Sequence, residues 1–286
     1  DRVAEERSYA SVARPGGVPR LASIFDVSGQ SVGSGALSRF SQNCGRTMLL
    51  LFSLPGDLVI DPFAGHNSRL SMCIVERRRY VGVDLSRPHC VATAQGYDAA
   101  RGGLFTEDVP FSAVVRGDSR RLPFRDGCGD FSITSPPYWD REDYGDEPEQ
   151  LGMASYEGFL GGLTEVAIDL FRVLKPSAFS VWFVNDFREA RAFYAFHMDT
   201  ARVLIGAGFV LYDLAVIDLG PAIRAAFAAE LLSHRTLPKR HEYALVATAD
   251  VVLLGGNTYM IDFWGPPMGL FEVTVYACYT TALDES

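Results

Sequence analysis

The chain has 286 residues, 48% of them hydrophobic, and a formal net charge of −9. That suffices to bury a sizeable core in one large domain or two small ones, and no apolar run reaches the roughly 18 residues a membrane helix needs. The acidic balance argues against a broadly basic nucleic-acid binder unless the basic residues cluster.

They cluster in part: Arg77–Arg79, then Arg116, Arg120, Arg121 and Arg125, then Arg235, Lys239 and Arg240. All basic residues except Lys175 and Lys239 are arginine, which suits phosphate contacts without proving any. The cysteines, at 44, 73, 90, 128 and 278, form no Cys-x-x-Cys pair. Free thiols in a reducing compartment are therefore expected, and no metal site. The sequence shows no secretory leader pattern, so a cytoplasmic location is expected.

In chain order, residues 1–39 are rich in Gly, Ser, Pro and Arg without periodicity and read as an irregular arm. Residues 44–53 read as a short helix and Pro55-Gly56-Asp57 as a turn. Strands and helices then alternate: a buried strand at 58–61, a helix at 68–78, a strand at 80–84 and a helix at 87–101. Strands at 112–118 and 130–135 follow, then a long amphipathic helix at 156–174. A strand at 178–184, a helix at 188–206 and a closing antiparallel pair at 209–217 and 241–248 complete the pattern. This alternation predicts an α/β domain over 40–250 with a mostly parallel sheet and helices on both faces. Residues 219–240 are an insertion with possible substrate contact, and 251–286 a β-rich extension.

In such a sheet, ligands bind beyond the carboxyl ends of the strands near the switch point. The first strand ends in DPFAGHNS (61–68), where Gly65 admits close backbone approach and a helix N-terminus follows. The second ends in Asp84, at about the offset from Gly65 of an acid that holds ribose hydroxyls. The third ends in Gly117-Asp118-Ser119, suited to an adenine amino group. The fourth ends in Thr134-Ser135-Pro136-Pro137-Tyr138-Trp139. Each signal has a structural alternative: a turn glycine, an Asp84 or Ser86 helix cap, a turn aspartate. Four successive strand ends together point to a nucleotide-type cofactor.

The segments DPFAG, VGVDLS, GDSRRLPF, TSPPYW, RVLKP and PKRHEYALV resemble the amino-group DNA methyltransferases, S-adenosylmethionine enzymes that methylate cytosine N4 or adenine N6. The resemblance covers roughly residues 40–248 and implies a Rossmann-like class I methyltransferase fold, with a seven-stranded sheet whose last strand is antiparallel. It implies a cofactor site of Asp61, Phe63, Ala64, Gly65, Asn67, Ser68, Asp84, Leu85, Asp118, Ser119 and Thr134, and a catalytic corner of Ser135, Pro136, Pro137 and Tyr138. The Ser-Pro-Pro-Tyr form is more similar to the cytosine-N4 branch.

The chemistry explains the corner. A base amine is a poor nucleophile because its lone pair is delocalised into the ring. Acceptance of its hydrogens by Ser135 Oγ and the Pro136 carbonyl would turn that lone pair toward the sulfonium methyl. The prolines preorganise the acceptor carbonyl, and Tyr138 offers a face to an extruded base. Trp139 either stacks on substrate or packs. Tyr144, in the acidic stretch 140–149, is a candidate for ordering around the base, with Asp140 or Asp143 beside it. Arg235, Lys239 and Arg240 are candidate DNA contacts. The glycine loop departs from the family pattern in carrying His66 and Asn67. DNA is the expected partner, RNA the alternative substrate, for example guanine N2 in tRNA, and a catalytically silent binding subunit the third reading. A homodimer or second protein is expected to supplement a monomer's limited sequence reading, and no membrane contact is expected.

Overall fold

The computed structural model describes residues 23–26, 42–65, 68–102, 109–139, 150–151, 155–189, 192–219, 232, 234–237 and 239–250. The chain divides into Asp1–Val251 and Val252–Ser286, and the second unit, like the expected extension at 251–286, lies outside the described residues. His66, Asn67, Asp140, Asp143 and Tyr144 also lie outside them.

The elements run β1 (Ile24–Asp26), α1 (Gln42–Phe52), β2 (Leu58–Asp61), α2 (Ser68–Val75), β3 (Arg79–Asp84), α3 (Arg87–Arg101), β4 (Ser112–Arg116) and β5 (Gly129–Thr134). Then come α4 (Tyr156–Val173), β6 (Leu174–Val184), β7 (Phe187–Glu189), β8 (Ala192–Tyr194), α5 (Phe196–Gly206), β9 (Val210–Asp218) and β10 (His241–Thr248). Eight strands form one sheet in the order β1-β9-β10-β6-β5-β2-β3-β4. β10 is antiparallel to both β6 and β9, and the other neighbours are parallel. Without β1 this is the expected Rossmann-like class I methyltransferase sheet. The chain runs outward from β2 through β3 and β4 on one side, and through β5 and β6 on the other. The β2–β5 boundary is thus the switch point, where a crevice opens beyond the strand ends.

The parallel strands read as continuous apolar runs because both faces are covered. On one face α4 and α5 pack Phe159, Leu163, Val166, Leu170, Phe196 and Val203 against Val83, Trp182, Val184 and Leu245. On the other, α1 and α2 pack Met48, Leu49, Leu70 and Cys73 against Val59, Phe131, Ile133, Phe183 and Val246. Cys44, Cys73, Cys90 and Cys128 are free thiols, as expected. Burial pushes Cys44 up to about 12 and Cys73 up as well, so both stay protonated.

Two elements differ from the sequence expectation. Ile24–Asp26, read as irregular, pairs in parallel with Val216–Asp218 and adds the eighth strand. The helix expected over 188–206 begins only at Phe196; before it, β7 and β8 form a two-stranded antiparallel ladder. Phe187 faces Tyr194 in that ladder, with ring centroids 5.0 Å apart and nearly parallel. A cross-strand aromatic pair of this kind outweighs the helical propensity of Glu189, Ala190 and Arg191 between its members.

Candidate active site

The turn after β2 is built on Asp61. Its carboxylate is fully buried and accepts hydrogen bonds from Tyr80 Oη (2.8 Å), Thr134 Oγ1 (2.7 Å), Arg69 Nε (2.5 Å) and Phe63 N (3.2 Å). Arg69, itself buried in α2, also donates to the carbonyls of Phe63 and Ala64. One guanidinium thereby shapes the turn and neutralises the acid beneath it. Burial first, and the Asp61 charge second, keep the Tyr80 phenol protonated, as its donor role requires. Ala64 N donates to Val83 O at 2.9 Å, and a Cβ added at Gly82 would stand 2.6 Å from Ala64 Cβ. Only a glycine in β3 lets the turn settle this close.

Gly65 has φ +52, the left-handed region that glycine enters without strain. Its N–H donates to Asp84 Oδ2 at 2.7 Å, and its carbonyl accepts from Thr93 Oγ1 at 3.1 Å. Asp84 Oδ1 accepts from Ser86 N at 2.8 Å, with His89 Nδ1 3.4 Å away. Asp84 thus joins the glycine turn to the start of α3. A carboxylate has about four lone-pair directions, so two backbone N–H groups leave acceptor capacity for ribose hydroxyls, and the side chain is 13% exposed. Ser68 opens α2, and Leu85 lends its carbonyl to Arg116 Nε at 3.2 Å.

Asp118 is gripped by Arg120 through Nε (2.9 Å to Oδ2), Nη2 (2.6 Å) and the backbone N–H (2.9 Å). Burial would raise this carboxyl, but the Arg120 hydrogen bonds outweigh it and hold it below its ordinary value. Ser119 Oγ donates to the Pro62 carbonyl. Within the expected cofactor set, then, Asp61, Thr134 and Ser119 spend their side chains on one another, on Arg69 and Tyr80, or on backbone, while Gly65, Asp84 and Asp118 line the strand ends. This arrangement fits a ribose-bearing cofactor: an open glycine with nothing nearer than 3.8 Å to an added Cβ, and an adjoining acid with spare acceptor sites.

Beyond β5, Ser135 Oγ donates to Phe183 O at 3.2 Å, which commits the hydroxyl proton to β6 and leaves the oxygen's lone pairs to accept. Pro136 is buried; Pro137, Tyr138 and Trp139 are half-buried. Tyr138 meets Phe196 edge-on at 6.4 Å. Trp139 contacts Tyr156 (5.4 Å), Tyr194 (5.5 Å) and Phe187 (6.3 Å). Rings of α4, β7 and β8 thus pack against Trp139.

At the carboxyl end of β6, Asn185 Nδ2 donates to Glu242 Oε1 at 3.2 Å, and Asp186 Oδ1 lies 2.7 Å from His197 Nδ1 while accepting from His197 N at 3.1 Å. Asn185 Oδ1 and Lys239 Nζ are buried and have no hydrogen-bond partner among the described residues. Burial pulls Lys239 down to about 8 despite Asp186 and Glu242 nearby, and pushes Glu242 up to about 7 against the pull of Lys239 and Asn185. Arg235 is exposed at φ +52, and Arg240 is paired with Asp218 through Nε (3.0 Å) and Nη2 (2.8 Å). The stretch 235–240 therefore sends its cations three ways: outward, inward and onto β9.

Arg69, Tyr80, Asn185 and Glu242 were not singled out from sequence. Asn185-Asp186 follows β6 as Asp84 follows β3, so the strand-end rule extends to that pair. Arg69 carries no such signal, because a helical arginine is ordinarily a surface residue. Among the described residues no cluster of His, Cys, Asp and Glu could hold a metal ion.

No protein-family model matches the chain, and no curated protein matches it. Solved structures do. The chain is similar to an S-adenosylmethionine-dependent methyltransferase from Methanosarcina mazei at 13% identity and TM-score 0.49, over 71% of this chain and 97% of that one. It is similar to TrmN from Thermus thermophilus at 14% identity and TM-score 0.47, over 73% of this chain and 49% of that one. A third likeness is to a putative sarcosine dimethylglycine methyltransferase from Galdieria sulphuraria at 10% identity and TM-score 0.49, over 73% and 84% of the two chains. At these identities and scores the likenesses carry no functional weight. No described helix is long and apolar enough to cross a membrane.

Proposed function

We propose that this chain transfers a methyl group from S-adenosylmethionine to the exocyclic amine of a nucleobase in DNA, cytosine N4 ahead of adenine N6. The observation that carries the reading is the diproline corner. Ser135 Oγ has its proton committed to Phe183 O, so the oxygen's lone pairs are left to accept. The Pro136 carbonyl follows directly in a backbone that two pyrrolidine rings stiffen.

When bound, the cofactor supplies an electrophilic methyl on a sulfonium. The protein's part is positional. Gly65 and Asp84 would seat the ribose end of the cofactor, Phe63 and Leu85 would flank its adenine, and Asp118 would take the adenine amine with whatever acceptor capacity Arg120 leaves. Ser68 stands at the helix start beside the glycine turn. Across the switch point, Ser135 and Pro136 accept the two amine hydrogens of the acceptor, which draws its nitrogen toward tetrahedral geometry. Tyr138 supplies a ring face to the extruded base. The amine proton becomes acidic only once the new bond forms, so no strong general base is needed. In-line placement of two bound reactants supplies much of the acceleration.

RNA is the second substrate class. The net charge of −9 weakens a large electrostatic grip on duplex DNA and is compatible with an unpaired strand. The experiment is a competition: label-bearing cofactor, mixed-sequence DNA and total tRNA in one reaction, with label counted in each polymer. Label in DNA supports the proposal, and label confined to tRNA transfers it to RNA. Cofactor binding without label in either polymer leaves only the silent-subunit reading.

A further inference from the structure

The sheet order places the expected cofactor residues at the ends of β2, β3 and β4, the diproline corner after β5, and one further polar group where β6 ends and β10 begins, on the far side of the corner. That group is odd in one respect. Buried polar atoms are normally paired, and leaving one unpaired costs stability. Here Lys239 Nζ, with up to three hydrogens to donate, and Asn185 Oδ1, an acceptor, are both buried and both without a hydrogen-bond partner among the described residues. They flank Glu242, which already holds Asn185 through its amide nitrogen. The chain has thus closed off an ammonium and an amide oxygen from water and left them unspent.

Position narrows what would use them. Ser135 Oγ bonds to Phe183 O, and Asn185 lies two residues further on, just past the end of that strand. Neighbouring strands stand about 4.8 Å apart, so β6 lies one spacing and β10 about two spacings from β5, a span of roughly one base ring plus one hydrogen bond. We infer that Asn185, Lys239 and Glu242 form the hydrogen-bonding seat for the ring edge of the acceptor base, with Lys239 as the residue that selects it. This rests on the proposed transfer to a base amine and adds the group that chooses the base. Beside its exocyclic amine, cytosine carries two adjacent acceptors, N3 and O2, which suit an ammonium. On the matching Watson–Crick edge adenine offers a single ring acceptor, N1, beside its amine. Thymine puts an N–H where the ammonium would donate. The seat therefore prefers cytosine, then adenine, then thymine. Asn185 Oδ1 shares, in a three-centre bond, the amine hydrogen that Pro136 accepts, and Glu242 holds the amide in place through its nitrogen.

A purely structural lysine would behave differently. Replacing a buried, unpaired ammonium by an apolar side chain of similar length removes a desolvation cost, so Lys239→Met should fold at least as stably as the parent. The seat reading adds that the same variant loses base preference.

The test measures fluorescence anisotropy of short single-stranded oligonucleotides of dC, dA and dT and of an abasic strand, with S-adenosylhomocysteine present. The parent, Lys239→Met and Asn185→Leu are compared, with thermal midpoint and methyl transfer recorded on the same samples. The parent should bind dC roughly tenfold tighter than the abasic strand, about the worth of one hydrogen bond to a charged donor. Lys239→Met should bind dC and abasic strands alike at an unlowered thermal midpoint, and Asn185→Leu should lose part of the preference. If Lys239→Met keeps the dC preference while the parent transfers methyl groups, the seat is wrong and the transfer reading stands. If the parent prefers dC through Lys239 but transfers nothing, the seat stands and the transfer reading falls. A parent that neither prefers dC nor transfers overturns both.

Discussion

The two sides of the switch point are built on opposite principles. Around β2 and β3 the polar side chains satisfy one another: Asp61 collects four donors, Arg69 closes the turn, and Asp84 holds the Gly65 and Ser86 amides. Around β6 and β10, buried polar atoms stand unpaired and two charged groups have pKa values drawn toward each other. The first arrangement makes a rigid cradle whose geometry does not depend on a ligand. The second holds back hydrogen-bonding capacity at a cost in stability, which is reasonable only where a ligand recovers it.

The comparison breaks most readily at Asp61. Asp61→Ala leaves Arg69 buried without its carboxylate and strips Tyr80 and Thr134 of their acceptor, so urea unfolding should show a loss of about 3–5 kcal/mol. A loss under about 1 kcal/mol would mean that the cradle is not held from within. Ser135→Ala removes one amine acceptor while Phe183 O stays in its strand. Turnover should fall roughly 10- to 100-fold, the worth of one hydrogen bond left unmade in the transition state, with cofactor affinity unchanged by calorimetry. Asp84→Ala should weaken cofactor binding about tenfold and spare DNA affinity; equal loss of both in a folded variant would remove its ribose role.

The smallest effect is in pH dependence. Glu242 stands raised to about 7 from an ordinary 4.5, so between those values the folded chain keeps a proton that the unfolded chain has lost. Its contribution to stability therefore falls as pH rises through that window. Lys239 stands lowered to about 8 from 10.5, so between those values the unfolded chain holds the extra proton and stability recovers as pH rises. With Asp186 as the other charge beside Lys239, the pair should give a shallow trough between pH 7 and 8 in thermal midpoint. The trough should flatten on its acid side in Glu242→Gln and on its alkaline side in Lys239→Met.

Much of this architecture was legible in the sequence because period and strand-end chemistry are local. LVID, YVGVD and DFSITS read as strands, and Gly65, Asp84, Asp118 and Ser135 stand at strand ends, where a parallel sheet presents ligand groups. What stayed hidden depends on distant partners. Ile24–Asp26 becomes a strand only because β9 offers an edge, and the FREARAFY stretch folds as a ladder because Phe187 and Tyr194 meet each other and Trp139. Arg69 gives no outward sign of reaching back eight residues to Asp61. Lys239, one of a cationic stretch, turns inward while Arg235 is exposed, a difference set by tertiary burial that composition does not carry.

The central claim is that the Ser135–Pro136 corner accepts a base amine for methylation. Nucleoside mass spectrometry of mixed-sequence DNA after incubation with the parent or Ser135→Ala in S-adenosylmethionine tests it most directly. The account predicts N4-methylcytosine, or failing that N6-methyladenine, from the parent and a deep loss of that product from the variant. A methyl group found on ring carbon, or equal product from both proteins, would contradict it.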